Sequence, residues 1–221
     1  MKPMSPYVVV VTMEVEAAWE DELNRWYREE HIPALMGVPG YLKSERFVAT
    51  DGAPKYMAWY ELETLEAYHS REHDEAVSTP WTARMREHFK ADIALFTQLP
   101  GADGELQGVS FDGWQTPVGG LLVMRSDVAD ADIEEFHRWY REEHLPGLMG
   151  APGSLFGRRY QAAEGGPRFL ARYDLTSPEV STSEAWDRGA ETPWTFRMRE
   201  KYTARWLTRY APVGAPVGVA G

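Results

Sequence analysis

Trp26-Tyr27-Arg28-Glu29-Glu30-His31-Ile32-Pro33 returns 113 positions later as Trp139-Tyr140-Arg141-Glu142-Glu143-His144-Leu145-Pro146. Outward from this segment the correspondence holds at the same offset. Leu35-Met36-Gly37 meets Leu148-Met149-Gly150, Pro39-Gly40 meets Pro152-Gly153, Arg46 meets Arg159, and Tyr60 meets Tyr173. Thr79-Pro80-Trp81-Thr82 then meets Thr192-Pro193-Trp194-Thr195. No gap is needed from Trp26 to Glu87, so loops keep their lengths too, and each copy is expected to have the same fold.

The repeat divides the 221 residues into a unit over 1–100, a Gly-, Asp- and Gln-rich connector over 101–117 and a second unit over 118–212. The last stretch, 213–221, has no pattern that could pack and is expected to be disordered. Units of about 100 residues can bury a core of their own.

Each copy reads strand, helix, strand, strand, helix, strand. β-branched runs open the copies at Tyr7 to Met13 and Val118 to Met124. The first helix is expected over Ala17 to Met36, with Leu23, Trp26, Tyr27 and Glu30 on one face, and its counterpart over Ala131 to Met149. Pro39-Gly40 stops the helix and turns the chain into a strand. Strands Tyr41–Ala49 and Lys55–Leu62 flank the turn residues Thr50-Asp51-Gly52-Ala53-Pro54. A second helix begins near Thr64 and restarts at Thr79, an N-cap followed by proline at the first helical position. Ile93 to Leu99 closes the unit.

The third strand indicates the architecture. Tyr56, Ala58, Tyr60 and Leu62 align with Phe169, Ala171, Tyr173 and Leu175, an apolar face that belongs under helices. Met57, Trp59 and Glu61 oppose Leu170, Arg172 and Asp174, too large and apolar for a solvated face. The economical arrangement is α+β: two sheets face to face with the helices outside.

Composition narrows the partners. A net charge of −11 argues against nucleic acid, which needs clustered Lys and Arg. Cysteine is absent, removing thiolate chemistry and disulfides and fitting a cytoplasmic location. Tyr7-Val8-Val9-Val10-Val11 is too short to span a bilayer, so no membrane partner is expected. No Gly-x-Gly-x-x-Gly, P-loop, His-Glu-x-x-His or Gly-x-Ser-x-Gly motif occurs.

A β-α-β-β-α-β unit paired sheet to sheet resembles the ferredoxin-like, dimeric α/β-barrel superfamily. Trp26-Tyr27, His31, Pro33, Pro39-Gly40 and Arg46-Phe47, repeated at Trp139 to His144, Pro146, Pro152-Gly153 and Arg159-Tyr160, resemble its EthD-like branch. Members include muconolactone isomerases, polyketide cyclases, cofactor-free monooxygenases, haem-degrading enzymes and stress proteins, so the resemblance implies a fold more than a reaction. They usually pair as homodimers. The fused chain would build that barrel within itself, and a homodimer of the whole chain is compatible with the resemblance. Many hold their ligand between sheet and helices, which the resemblance would place near His31 and His144.

Among six histidines only His31 and His144 are equivalent. At the margin of the apolar helix face, a histidine whose other nitrogen is held by a carboxylate is arranged as a general base; otherwise His-x-Pro simply ends the helix. Glu30 and Glu143 lie near the middle of that face and are expected to pair with Arg46 and Arg159. Those arginines could instead hold an anion or oxyanion. Tyr60 and Tyr173 could donate to a substrate oxygen or be core. Trp26, Trp139, Trp81 and Trp194 could shape a cavity, although the stripes Trp81-Met85-Phe89 and Trp194-Met198-Tyr202 suit packing. His69 and His73, spaced i to i+4, face Thr182 and Trp186 in the other copy and mark a difference between two pockets rather than a metal site. His88 and His137 lack counterparts and read as surface residues.

These readings favour a cofactor-independent lyase, isomerase or cyclase acting on a small aromatic or polyketide-like compound. The competing expectations are a cofactor-free or haem-dependent monooxygenase, with His31 or His144 as haem ligand, and a non-catalytic binding or stress protein.

Overall fold

The computed structural model describes residues 5–100, 109–110 and 117–218. Its first half runs β1 (Tyr7–Val15), α1 (Glu20–Trp26), α2 (Ile32–Met36), β2 (Tyr41–Asp51), β3 (Tyr56–Leu62), α3 (Arg71–Ala76), α4 (Pro80–Arg86) and β4 (Phe89–Gln98). A two-residue strand, β5 (Val109–Ser110), pairs its backbone with Gly157 and Phe156. The second half repeats the order with β6 (Gly120–Val128), α5 (Ile133–Trp139), α6 (Leu145–Met149), β7 (Ser154–Glu164), β8 (Phe169–Leu175), α7 (Glu184–Ala190), α8 (Pro193–Glu200) and β9 (Tyr202–Pro212).

Each half makes an antiparallel sheet, in the orders β2-β3-β1-β4 and β7-β8-β6-β9. The sheets join at both edges. Leu95 to Gln98 pair with Glu164 to Tyr160, and Phe47 to Asp51 pair with Pro212 to Arg209. Closing both seams gives an eight-stranded α+β barrel, helices outside.

The alternation of β3 divides the protein as expected. Tyr56, Ala58, Tyr60 and Leu62 pack with Leu23, Trp26, Tyr27 and Leu35 of the helices. Met57 and Trp59 turn inward against Leu121, Val123, Tyr160 and Leu170 of the other half. Residues two apart share a face of the pleat.

Charges also occupy the barrel interior. Arg158 Nη2 meets Asp174 Oδ2 at 2.5 Å, Arg172 Nε meets Asp174 Oδ1 at 2.7 Å, and Arg172 reaches Glu45 at 3.0 Å. Lys43 joins Glu45 at 3.0 Å. Burial alone would raise the Asp174 and Glu45 carboxyls, but Arg172 acting with Arg158 on the first and with Lys43 on the second holds both below their ordinary values. At the 113-residue offset Glu45 corresponds to Arg158, so the two halves contribute opposite charges to one network.

Several local expectations change. The long first helix is interrupted by a π turn at Tyr27–His31, closed by Ile32 N–H donating to Tyr27 O, and Tyr140–His144 is its counterpart. Pro33 and Pro146 supply the cause, because a proline ring crowds the carbonyl four residues back and lacks an N–H, and a wider turn accommodates both. Helices α4 and α8 end at Arg86 and Glu200, so Phe89 and Tyr202 belong to strands rather than helical stripes. The expected disordered tail is corrected in part: Val217–Gly218 forms β10 against Ser44 and Lys43, because β2 has backbone groups there still to pair. Residues 219–221, and all of 101–116 except 109–110, lie outside the described residues.

Other signals read from sequence are in place. Gly40 and Gly153 follow their prolines at φ +88° and +91°, a conformation that disfavours side chains. Thr79 and Thr192 cap their helices by accepting from Thr82 N and Thr195 N, each at 3.0 Å. Among the described residues no helix is long and apolar enough to cross a membrane.

Candidate functional site

Between the first-half sheet and its helices lies a cavity of about 280 Å³. Val9, Val11 and Met13 of β1 form its floor, Trp26 and Leu35 one wall, and Tyr41, Tyr60, Tyr68 and His73 another, with Arg86 and Ile93 also lining it.

The π turn determines how His31 enters. In a continuous α-helix residues 26 and 31 would point about 140° apart; closing the turn i to i+5 stacks them, with ring centroids 4.2 Å apart and planes at 26°. His31 Nδ1 is buried without a hydrogen-bond partner. Burial, helped by the positive fields of His73, Arg86 and Arg46, pushes its pKa down to about 3. The imidazole is therefore neutral at pH 7, free to accept a proton but weakly basic until something in the cavity offsets those fields.

Tyr60 faces His31 edge-on at 6.5 Å. Its hydroxyl is buried beside that of Tyr27 without a well-formed hydrogen bond, and burial holds its pKa well above the ordinary phenol value. Deeper in the wall, Tyr41 Oη and His73 Nδ1 are 2.8 Å apart. Burial lowers the His73 pKa and raises that of Tyr41, so this pair too is neutral.

Other expected site residues lie elsewhere. Arg46 lies outside the cavity lining; its guanidinium covers the Tyr27 ring at 3.9 Å, as Arg159 covers Tyr140 at 3.9 Å. The expected Glu30–Arg46 pairing does not form. Glu30 accepts from Thr79 Oγ1 at 2.5 Å and Trp26 Nε1 at 3.2 Å, and Glu143 likewise accepts from Thr192, because their side of the helix turns toward the caps of α4 and α8 rather than toward the sheet. That arrangement also removes the carboxylate expected behind His31. Trp81 Nε1 donates to Glu22 at 2.9 Å and Trp194 Nε1 to Glu135 at 3.3 Å, both away from the lining. His69 precedes α3 and meets Glu164 at 2.8 Å on the surface, so it shares no site with His73. Among the described residues no group of three or more His, Asp or Glu is placed to hold a metal.

His137 is a packed residue rather than a surface one: its Nδ1 accepts from Arg159 Nη1 at 3.0 Å, and burial plus that arginine lower its pKa to about 4. His88 stacks on Trp19 at 3.5 Å.

The second half differs where the first is open. Tyr41, Tyr68 and His73 correspond to Ser154, Ser181 and Trp186. Trp186 is buried edge-on against Tyr173 at 5.4 Å, while Ser154 and Ser181 turn to backbone carbonyls. His144 stacks on Trp139 at 4.1 Å with its Nδ1 unpartnered, and burial pushes its pKa down to about 3. The counterparts of Tyr41, Tyr68 and His73 around it are Ser154, Ser181 and Trp186, and the charges acting on it are those of Arg199, Arg159 and Arg205.

A porphyrin does not fit this site. The cavity lies at the small end of ligand pockets, and Trp26 covers one face of the His31 ring. Sequence reasoning missed Arg86, Tyr41 and Tyr68. The repeat marked the first, aligned with Arg199, while the two tyrosines stand where the copies differ.

The chain therefore has the dimeric α/β-barrel fold within a single polypeptide. A family model described as Domain of unknown function (DUF4286) matches residues 6–99. No curated protein matches the sequence. An anthrone oxidase-like protein superposes with a TM-score of 0.68 at 10% identity, over 98% of this chain and 95% of that one. A putative monooxygenase from Fusobacterium nucleatum subsp. nucleatum gives 0.63 at 8%, over 100% and 97%. A chlorite dismutase variant from Candidatus Nitrospira defluvii gives 0.64 at 13%, over 93% and 91%. At such identities the likeness is one of fold.

Proposed function

We propose that the chain is a tandem duplication of an EthD-like unit and a cofactor-independent enzyme, cytoplasmic, that removes a proton from a small aromatic or polyketide-like compound in the first-half cavity. One observation carries this: His31 Nδ1, buried without a hydrogen-bond partner, and the buried Tyr60 side chain, whose hydroxyl lies beside that of Tyr27, both line a cavity that is otherwise mainly apolar. Buried polar groups are normally satisfied, and exceptions concentrate at functional sites.

In this reading the neutral imidazole of His31 takes the proton, and the Tyr60 hydroxyl donates to the oxygen on which charge develops. Trp26 holds the imidazole in place and Val9, Val11 and Met13 exclude water. The resulting enolate or phenolate is common to isomerisation, cyclisation and oxygenation.

The names of two structures similar in fold, a putative monooxygenase and an anthrone oxidase-like protein, motivate oxygenation as the second reading, here in a cofactor-free form. There the carbanion of a methylene passes its electrons to O2. One oxygen stays on carbon as a ketone and the other leaves as water.

The test uses anthrone and 1,3-diketones in D2O, with NMR following protein-catalysed exchange of the acidic C–H. Exchange by the wild type and its loss in Tyr60→Phe support the proposal. Tight binding of the whole panel without exchange would make the protein a binder. Oxygen uptake separates the two catalytic readings.

A further inference from the structure

Arg86 is the last residue of α4, exposed, and part of the cavity lining. Among the described residues it makes no ion pair and no hydrogen bond. Its counterpart Arg199 is differently placed: Arg199 Nη2 holds Glu191 Oε1 at 2.7 Å. At the 113-residue offset Glu191 corresponds to Ser78. The first half thus lacks the acid that neutralises this arginine in the second, and there the arginine borders the cavity.

Two simpler accounts leave that difference unexplained. A cation in the last turn of a helix is favoured by the helix dipole, but this applies equally to Arg86 and Arg199. A solvated arginine is ordinary on a protein surface, but this one borders an apolar cavity beside Tyr68 and His73. An exposed guanidinium at such a rim, with no ion pair among the described residues, is suited to a planar anion in a two-pronged contact.

We infer that Arg86 is the specificity residue of the site and that the ligand is a flat aromatic compound bearing a carboxylate, its ring in the cavity and its carboxylate on Arg86. This rests on the proposal that the first-half cavity binds a small aromatic compound. The field of Arg86 also bears on His31 and His73, lowering the pKa of each.

The experiment measures Kd by tryptophan fluorescence for 1-hydroxy-2-naphthoate and 1-naphthol, which share a ring system and differ by the carboxylate. Wild type is expected to bind the naphthoate about fivefold tighter, the upper range of an exposed ion pair with good two-pronged geometry. Arg86→Ala removes that preference and leaves naphthol binding within about twofold. Ser78→Glu, which restores the acid found in the second half, does the same with Arg86 still present. Arg86→Lys retains part of the preference. Equal affinity of the wild type for both compounds, or equal weakening of both by Arg86→Ala, overturns the inference while leaving the cavity reading standing. Binding of neither compound overturns both.

Discussion

Asp174 lies inside the barrel between two arginines, and the substitution Asp174→Asn removes one negative charge with almost no change of volume. Its oxygens meet Arg158 at 2.5 Å and Arg172 at 2.7 Å, and the side chains of all three are 1–6% exposed. With the carboxylate gone, Arg172 keeps Glu45 at 3.0 Å, and both buried guanidinium groups lose the acid they hold in common. Removing one partner of a buried ion pair costs about 3–5 kcal/mol, mostly as the penalty of the charge left behind. For a chain of this size that corresponds to a fall in Tm of roughly 6–20 °C. Urea unfolding followed by tryptophan fluorescence measures it. The exposed pair Arg188–Glu184, 3.9 Å apart, is the control, and Glu184→Gln should change stability by less than about 0.5 kcal/mol. The pH dependence gives a second check. Because Arg172 and Arg158 outweigh burial and hold the Asp174 carboxyl below its usual value, its contribution is complete above about pH 4. It is lost as pH falls through the depressed folded value, where variant and wild type should converge. A loss below about 1 kcal/mol at pH 7 would refute the view that the Asp174 carboxylate is needed to compensate these buried arginines.

Two further predictions concern the histidines and the helix contacts. His31 and His144 have folded pKa values near 3 against an unfolded value of 6.5, so the unfolded chain gains protons first on acidification. Stability should fall between pH 6.5 and 3, by up to about 1.4 kcal/mol per pH unit for each residue; urea titrations of wild type and of His31→Asn with His144→Asn should show a shallower slope in the variant. Gly189→Ala would set a Cβ 2.4 Å from the Gly147 carbonyl oxygen, backbone against backbone where α6 meets α7. An expected loss of about 1–3 kcal/mol is measured by the same unfolding assay, and a neutral result would mean that these helices separate without cost.

The fold was legible because the repeat made the chain its own comparison. Trp26 to His31 placed the first helix twice, and the two faces of Tyr56 to Leu62 gave away the opposed sheets before any coordinates. What stayed hidden depended on geometry finer than periodicity. A helical wheel put Glu30 toward Arg46, but the π turn and the Thr79 cap drew its carboxylate the other way. Spacing put His69 with His73, yet one precedes the helix and the other enters the cavity. The barrel-interior ions escaped notice because Glu45 and Arg158, or Trp59 and Arg172, are mismatches in the alignment. Complementarity between unlike halves leaves no repeated motif. Arg86 was present as a match to Arg199; only the loss of the acid at Ser78 separates their roles.

The central claim is that His31 and its cavity do the chemistry, while the equivalent His144 in the second half, where Trp186 stands in place of His73, does not. It is tested most directly by His31→Ala and His144→Ala, assayed separately for C–H exchange of the best substrate from the panel, with circular dichroism verifying the fold. The account predicts loss of exchange by at least about 100-fold in His31→Ala, the usual scale of general-base catalysis, and wild-type exchange in His144→Ala. Full exchange by a folded His31→Ala variant, or equal loss in both, would contradict it.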